Sequence, residues 1–176
     1  IILYVRLKSI RRIYMNQKEN NTEISFTWDS ESEGYYKRHK LSNGQFCQIG
    51  FYRWNGSRST EYHVAFAVAD KKKNLNGWFN QTKDDNLTLK TTGRCGVEAL
   101  FWARDMLLEF EKYIFLRETE DTKIVVQGED SRRFRLYERA LSRYGYRKVK
   151  FQDGWEMVKF IERKKRTDAA EGESEP

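Results

Sequence analysis

Proline is almost missing from this chain: the single one is Pro176, among 176 residues. That excludes a Pro-rich linker or a collagen-like repeat. Cysteine is nearly as scarce. Cys47 and Cys95 are too few for a disulfide framework or a thiolate zinc site, and a reducing, cytosolic setting is the expectation. The two histidines, His39 and His63, leave little scope for a Cys–His or Ser–His nucleophile pair. No stretch approaches the roughly 20 consecutive apolar residues that a membrane-spanning helix needs. No internal repeat is visible.

Aromatic residues are plentiful. Phe, Tyr and Trp make up 15% of the chain and hydrophobic residues 39%, which sets it apart from disordered sequences. Charged residues reach 34% and the mean hydropathy is −0.86. A core must therefore come from a few large aromatic side chains. The length suits one domain.

The ends differ from the middle. Residues 1–14 carry Arg6, Lys8, Arg11 and Arg12 with no acid, and the first Met is Met15. This segment, and with it 1–21, is expected to stand outside the folded body. It reads as sequence upstream of a start or as a basic amphipathic anchor for a membrane surface or nucleic acid. Residues 163–176 read as a charged, solvated tail. The domain is expected at 22–162.

Within it, period-two alternation predicts strands over 22–28, 35–41, 45–54 and 60–69. Ser42-Asn43-Gly44 and Asn55-Gly56 supply turns. Tyr62, Val64, Phe66 and Val68 share one face of the fourth run. Residues 70–85 are polar, with Gly and Asn, and predict a loop anchored by Trp78 and Phe79 or forming a pocket lip. A short strand over 86–91 precedes Gly93-Arg94-Cys95-Gly96. From about 96 to 116, Leu100, Ala103, Leu107, Phe110 and Ile114 recur at helical spacing. A strand over 122–127 and a helix over 132–144 follow, the helix capped by Asp130-Ser131 and ended by Gly145. Its apolar stripe is Phe134, Tyr137, Leu141 and Tyr144. Strands over 146–151 and 155–162 form a hairpin. The whole predicts an α+β fold: a mixed, mostly antiparallel sheet with two main helices.

The segment 91–96 is the best candidate for chemistry. Two glycines bracket Arg94 and Cys95 where a strand gives way to a long helix. The first turn of a helix has free N–H groups and partial positive charge, and glycine lets a ligand approach the backbone. That combination suits a phosphate. Cys95 at this position, beside Arg94, also has the setting of a lowered thiol pKa, though a small buried Cys is the commoner case.

From Gly93 onward the order of elements resembles the GNAT acyltransferase superfamily over about residues 86–162. In those proteins a Gly-rich loop before a helix holds the pyrophosphate of acetyl-CoA, and a later helix ends in Gly plus an aromatic residue, as Gly145-Tyr146 does here. The family's loop reads Arg/Gln-x-x-Gly-x-Gly/Ala. Here Lys90 stands three before Gly93, Cys95 takes the second glycine's place, and Gly96 follows one residue later. The family's Tyr, four residues before the final Gly, is replaced by Leu141, with Tyr137 one turn earlier. The family's two early helices are not visible. The resemblance implies acetyl-CoA as cofactor, held by Gly93, Arg94, Cys95 and Gly96, and an amine as acceptor. It implies Tyr137 as the acid for the leaving thiolate, with Glu61 and His63 as candidate bases, or a relative that has lost the reaction.

Charge supports a different class. The net +7 is unevenly spread: residues 1–14 hold +4, 163–166 hold +4, 132–150 hold +7, and the remainder sums to −8. Arg132, Arg135, Arg139 and Arg143 recur at three- and four-residue steps opposite the apolar stripe. Such a stripe can follow a nucleic-acid backbone, meet the 3′-phosphate of CoA, or dock an acidic protein. A non-enzymatic binding module, for nucleic acid or for a protein partner in the manner of a phage-type accessory factor, is the alternative.

Overall fold

The structure, a computed structural model, describes residues 25–54, 60–79, 97–128, 131–152 and 154–163, without the side chains of Trp78, Arg132 and Arg133. It is a mixed α+β arrangement built on one seven-stranded sheet. The strands are β1 (Thr27–Asp29), β2 (Gly34–Lys40), β3 (Phe46–Trp54), β4 (Thr60–Ala69), β5 (Thr122–Gln127), β6 (Arg147–Phe151) and β7 (Gly154–Ile161). Their spatial order is β1-β2-β3-β4-β5-β7-β6. Only β4 and β5 run parallel; every other neighbouring pair is antiparallel. The helices are α1 (Lys72–Phe79), α2 (Glu98–Arg117) and α3 (Ser131–Leu141), the last extended by a 3₁₀ turn over Ser142–Tyr144.

The early meander follows from its turns. Gly44 adopts φ +84°, and Leu41 N–H donates to Gln45 O at 2.7 Å across it. Asn43 Oδ1 accepts the Gln45 N–H at 3.0 Å, the short-range bond that favours Asn in turns. β1 is shorter than its alternation predicts. Phe26 is buried just before it, while Trp28 is 46% exposed and lies edge-on to Tyr35. No helix separates β1 from β2; a turn over 30–33 does.

One face of the sheet carries the main core. Cys47, Ile49 and Phe51 of β3 and Tyr62, Val64, Phe66 and Val68 of β4 meet α2 through Trp102, Leu107, Phe110 and Ile114. Phe110 stacks on Phe51 at 3.8 Å with Phe26 and Tyr62 edge-on to it. α2 has no side-chain cap bond at Val97, yet Glu98 in its first turn accepts the Ser42 N–H at 2.9 Å and the Ser42 hydroxyl at 2.5 Å. This ties the helix start to the β2–β3 turn. At its other end, the Tyr62 hydroxyl donates to Glu118 Oε1 at 2.5 Å.

Three expectations need correction. Residues 72–79 of the supposed loop form α1, because Leu75, fully buried, and Phe79 one turn later pack on Ala67 and Ala69 across the opposite face of the sheet. Asn74, Asn76 and Gly77 are poor helix formers, so packing overrides propensity here. The strand beside β5 is β4; the proposed strand over 86–91 lies outside the described residues. The α-helical part of α3 stops at Leu141, and Gly145 at φ +88° closes the 3₁₀ turn after it. Asp130, Asn55 and Gly56 also lie outside the described residues.

Candidate functional site

Parallel pairing between β4 and β5 runs from Thr60–Thr122 to Val64–Val126 and stops. β4 continues to Ala69, whereas β5 ends at Gln127 and turns into α3. Beyond Val64, β4 therefore has no strand on its β5 side among the described residues. Among the described residues, its backbone groups there have no strand partner on that side.

A cavity of about 470 Å³ lies over this split. The first three turns of α2 wall one side with Leu100, Ala103, Arg104 and Leu107, and α3 walls the other with Leu136, Tyr137, Ala140 and Leu141. Ile49, Val64, Phe66 and Val126 line it from the sheet. Ala103 and Ala140 are the small side chains that leave the space unfilled. Gly128 sets the position of α3: a Cβ there would come within 2.8 Å of Phe134 Cβ and 2.9 Å of its Cα. Only glycine lets α3 approach this closely.

Three lining residues carry polar side-chain groups. Arg104 is turned to Asp105, with Nη2 to Oδ1 at 2.6 Å, and lies 5.1 Å from the Phe101 ring centre. Gln127 donates Nε2–H to Glu156 Oε1 at 2.5 Å, and Glu156 is buried on β7. Tyr137 is half-buried on α3. A mostly apolar cavity of this size with a few convergent polar groups is the ordinary form of a small-molecule site.

The residues anticipated from sequence separate into groups. Tyr137 faces the cavity. Gly93, Arg94, Cys95 and Gly96 lie outside the described residues; they immediately precede α2, whose N-terminal turns line the cleft. Glu61 and His63 sit on the sheet face away from Tyr62 and Val64. His63 Nε2 is 2.7 Å from Glu61 Oε1, and Lys123 Nζ is 3.0 Å from Glu61 Oε2. His63 lies two residues before Ala65, where the split opens. Arg135, Arg139 and Arg143 are exposed on α3; the Arg132 side chain is not described. Arg135 Nε donates to Ser131 O at 3.3 Å, and Glu138 of the same helix pairs with Lys148 at 3.5 Å. Leu136, 45% exposed, separates this basic face from the cavity.

Gln127, Glu156 and Ala140 were not singled out from sequence, and Ala103 was read only as part of the helix's apolar stripe. The available signal was a small residue within each helix's apolar stripe, facing a partner that sequence does not identify. Among the described residues, no three His, Cys, Asp or Glu side chains are placed to share a metal ion, and no helix is long and apolar enough to cross a membrane. Compared with family models, curated proteins and solved structures, the chain matched none of them.

Proposed function

We propose that this is a GNAT-like domain that binds an acyl-CoA in the cleft between β4 and β5, either as an N-acyltransferase or as a relative that kept the cleft without the reaction. The observation that carries the reading is the parting of the parallel strands under a cavity walled by α2 and α3. In the resembled family, such a splay admits the pantetheine arm. That arm is extended and amide-bearing, so it can pair with an open strand edge as a peptide strand does. Among the described residues, the backbone of Ala65–Ala69 offers such an edge.

In the enzymatic form, a neutral amine nitrogen attacks the thioester carbonyl. A β4 backbone N–H holds the developing oxyanion. The C–S bond then breaks, and Tyr137 gives its proton to the leaving thiolate. His63, 2.7 Å from Glu61, lies across the sheet from this cavity, so water takes the amine's proton. The loop Gly93–Gly96 would supply backbone N–H groups to the pyrophosphate.

Calorimetric titration with acetyl-CoA tests the reading, using Ala103→Trp to fill the cavity. Saturable binding by the unmodified chain and none by the variant is the expected pair. Absence of heat at millimolar ligand removes the reading.

The exposure of Arg135, Arg139 and Arg143 favours one alternative, a nucleic-acid-binding module. Its affinity for a mixed DNA or RNA probe would fall steeply with salt, and Arg139→Glu with Arg143→Glu would abolish it. Salt-independent binding, or none, excludes it. Docking of an acidic protein on the same arginines is what would remain of that class.

A further inference from the structure

The face of the sheet opposite α2 and α3 carries a second cavity, of about 370 Å³, that the acyl-CoA reading does not use. It lies at the β1–β2–β3 end, roofed by α1. Lys72, Asn76 and Phe79 line it from α1, at spacings of four and three that place them on one side of the helix. Asp29, Glu31 and Ser32 close the end formed by the β1–β2 turn.

Its floor is aromatic. The Tyr52 ring lies across two glycines: a Cβ on Gly50 would come within 2.7 Å of Tyr52 Oη, and one on Gly34 within 2.8 Å of Cδ1. The two missing side chains let the ring lie flat on the sheet. Phe79 stacks loosely beside it at 6.4 Å.

The charges stand at opposite ends. Arg38 donates through Nε to Gln48 Oε1 at 2.8 Å and through Nη2 to Asn76 Oδ1 at 2.8 Å, and both acceptors are neutral amides. Gln48 is itself buried, so the guanidinium is held in place. No carboxylate lies within ion-pair distance of Arg38 among the described residues. At the other end, Asp29 accepts the Glu31 N–H at 3.1 Å and the Ser32 hydroxyl at 2.8 Å, and no cation neutralises it among the described residues. Arg38 and Lys72 balance Asp29 and Glu31, so the cavity is neutral overall yet polar end to end.

A simple anion site would have cations only, whereas this cavity holds a cation and a carboxylate. Asp29 pairs with Gly34, four residues before Arg38 on β2, so the backbone positions that carry the two poles stand about 13 Å apart along the strand. A ligand that bears opposite charges at its two ends can meet both poles. The geometry points to a site for a short dipolar ligand, a dipeptide or an ω-amino acid, with its carboxylate on Arg38, its ammonium on Asp29 and its apolar middle on Tyr52.

Titration of the intact chain, followed by amide NMR shifts, tests this with glycyl-leucine, 6-aminohexanoate, hexanoate and hexylamine. Both dipolar probes should bind, shifting residues of β2, β3 and α1, and each single-charge probe should bind at least about tenfold more weakly. The tighter of the two dipolar probes assigns the source. Asp29→Asn preserves shape and should reduce dipolar binding to the level of hexanoate. Asn76→Trp, on the exposed side of α1, should abolish it. The site is refuted by hexanoate binding as tightly as 6-aminohexanoate, by no saturable binding up to about 10 mM, or by binding that both variants leave intact.

Discussion

At the C-terminal end of α2, Phe110 and Ile114 are 0% and 1% exposed, locked against Phe26, Phe51 and Tyr62. At its N-terminal end, Leu100 and Ala103 stand half-buried over a cavity. One helix with one apolar stripe thus makes a sealed contact and an open one. The cause lies in the sheet beneath. Under the sealed end the strands are continuous and bear large rings. Under the open end β4 and β5 part, and the facing positions on α2 and α3 are alanines. The opening is therefore built from strand divergence and small residues together.

Mutations at the two ends should separate them. Phe110→Ala removes a ring stacked on Phe51 and met edge-on by Phe26 and Tyr62, and should lower unfolding free energy by about 3–5 kcal/mol, seen as a reduced urea midpoint. A loss below about 1 kcal/mol would mean that the sealed end is loosely packed.

Raising the pH probes buried and half-buried tyrosines on both faces of the sheet. Burial, then the bond to Glu118 and its charge, holds the Tyr62 hydroxyl well above the usual tyrosine range. Burial, then the Glu111 charge, does the same for Tyr146, and burial pushes Tyr52 up to about 12. Each is neutral in the fold and ionises sooner in the unfolded chain. Their contribution is complete below about pH 10 and lost as pH rises from there toward the folded values, by at most roughly 1.4 kcal/mol per pH unit for each tyrosine. Urea midpoints should be steady from pH 8 to 9.5 and fall above pH 10, less steeply in Tyr62→Phe. An unchanged slope in that variant would contradict the assignment.

The open end should respond weakly. Leu100→Ala should cost roughly 1 kcal/mol or less, because the side chain is only partly buried and borders the cavity. Ala103→Trp should leave the melting temperature within a few degrees, since the ring enters existing space. A large loss in either would show that the space is not there.

The same contrast explains what sequence could tell. β4 and β5 end where their alternation and apolar runs end, at Ala69 and Gln127, and α2 lies within two residues of its expected bounds. These elements are fixed by local pattern. α1 was hidden because Leu75 and Phe79 carry its burial among residues that favour turns. The parting of β4 from β5 is not written in the sequence, since Tyr62, Val64, Phe66 and Val68 read as an unbroken strand whether or not a neighbour stays beside them. Tyr137 could be singled out from its place on a helix, whereas the Gln127–Glu156 bond joins residues 29 apart and is visible only once β5 and β7 pair. The dipolar pocket likewise depends on α1 crossing over β3.

The most direct test of the central claim is an amide NMR titration of the intact chain with acetyl-CoA. Ala65–Ala69, Val126–Gly128 and the cavity face of α3 should shift together and saturate, while Phe110 and Ile114 hold still. Shifts confined to Arg135, Arg139 and Arg143, or none at millimolar ligand, would contradict it.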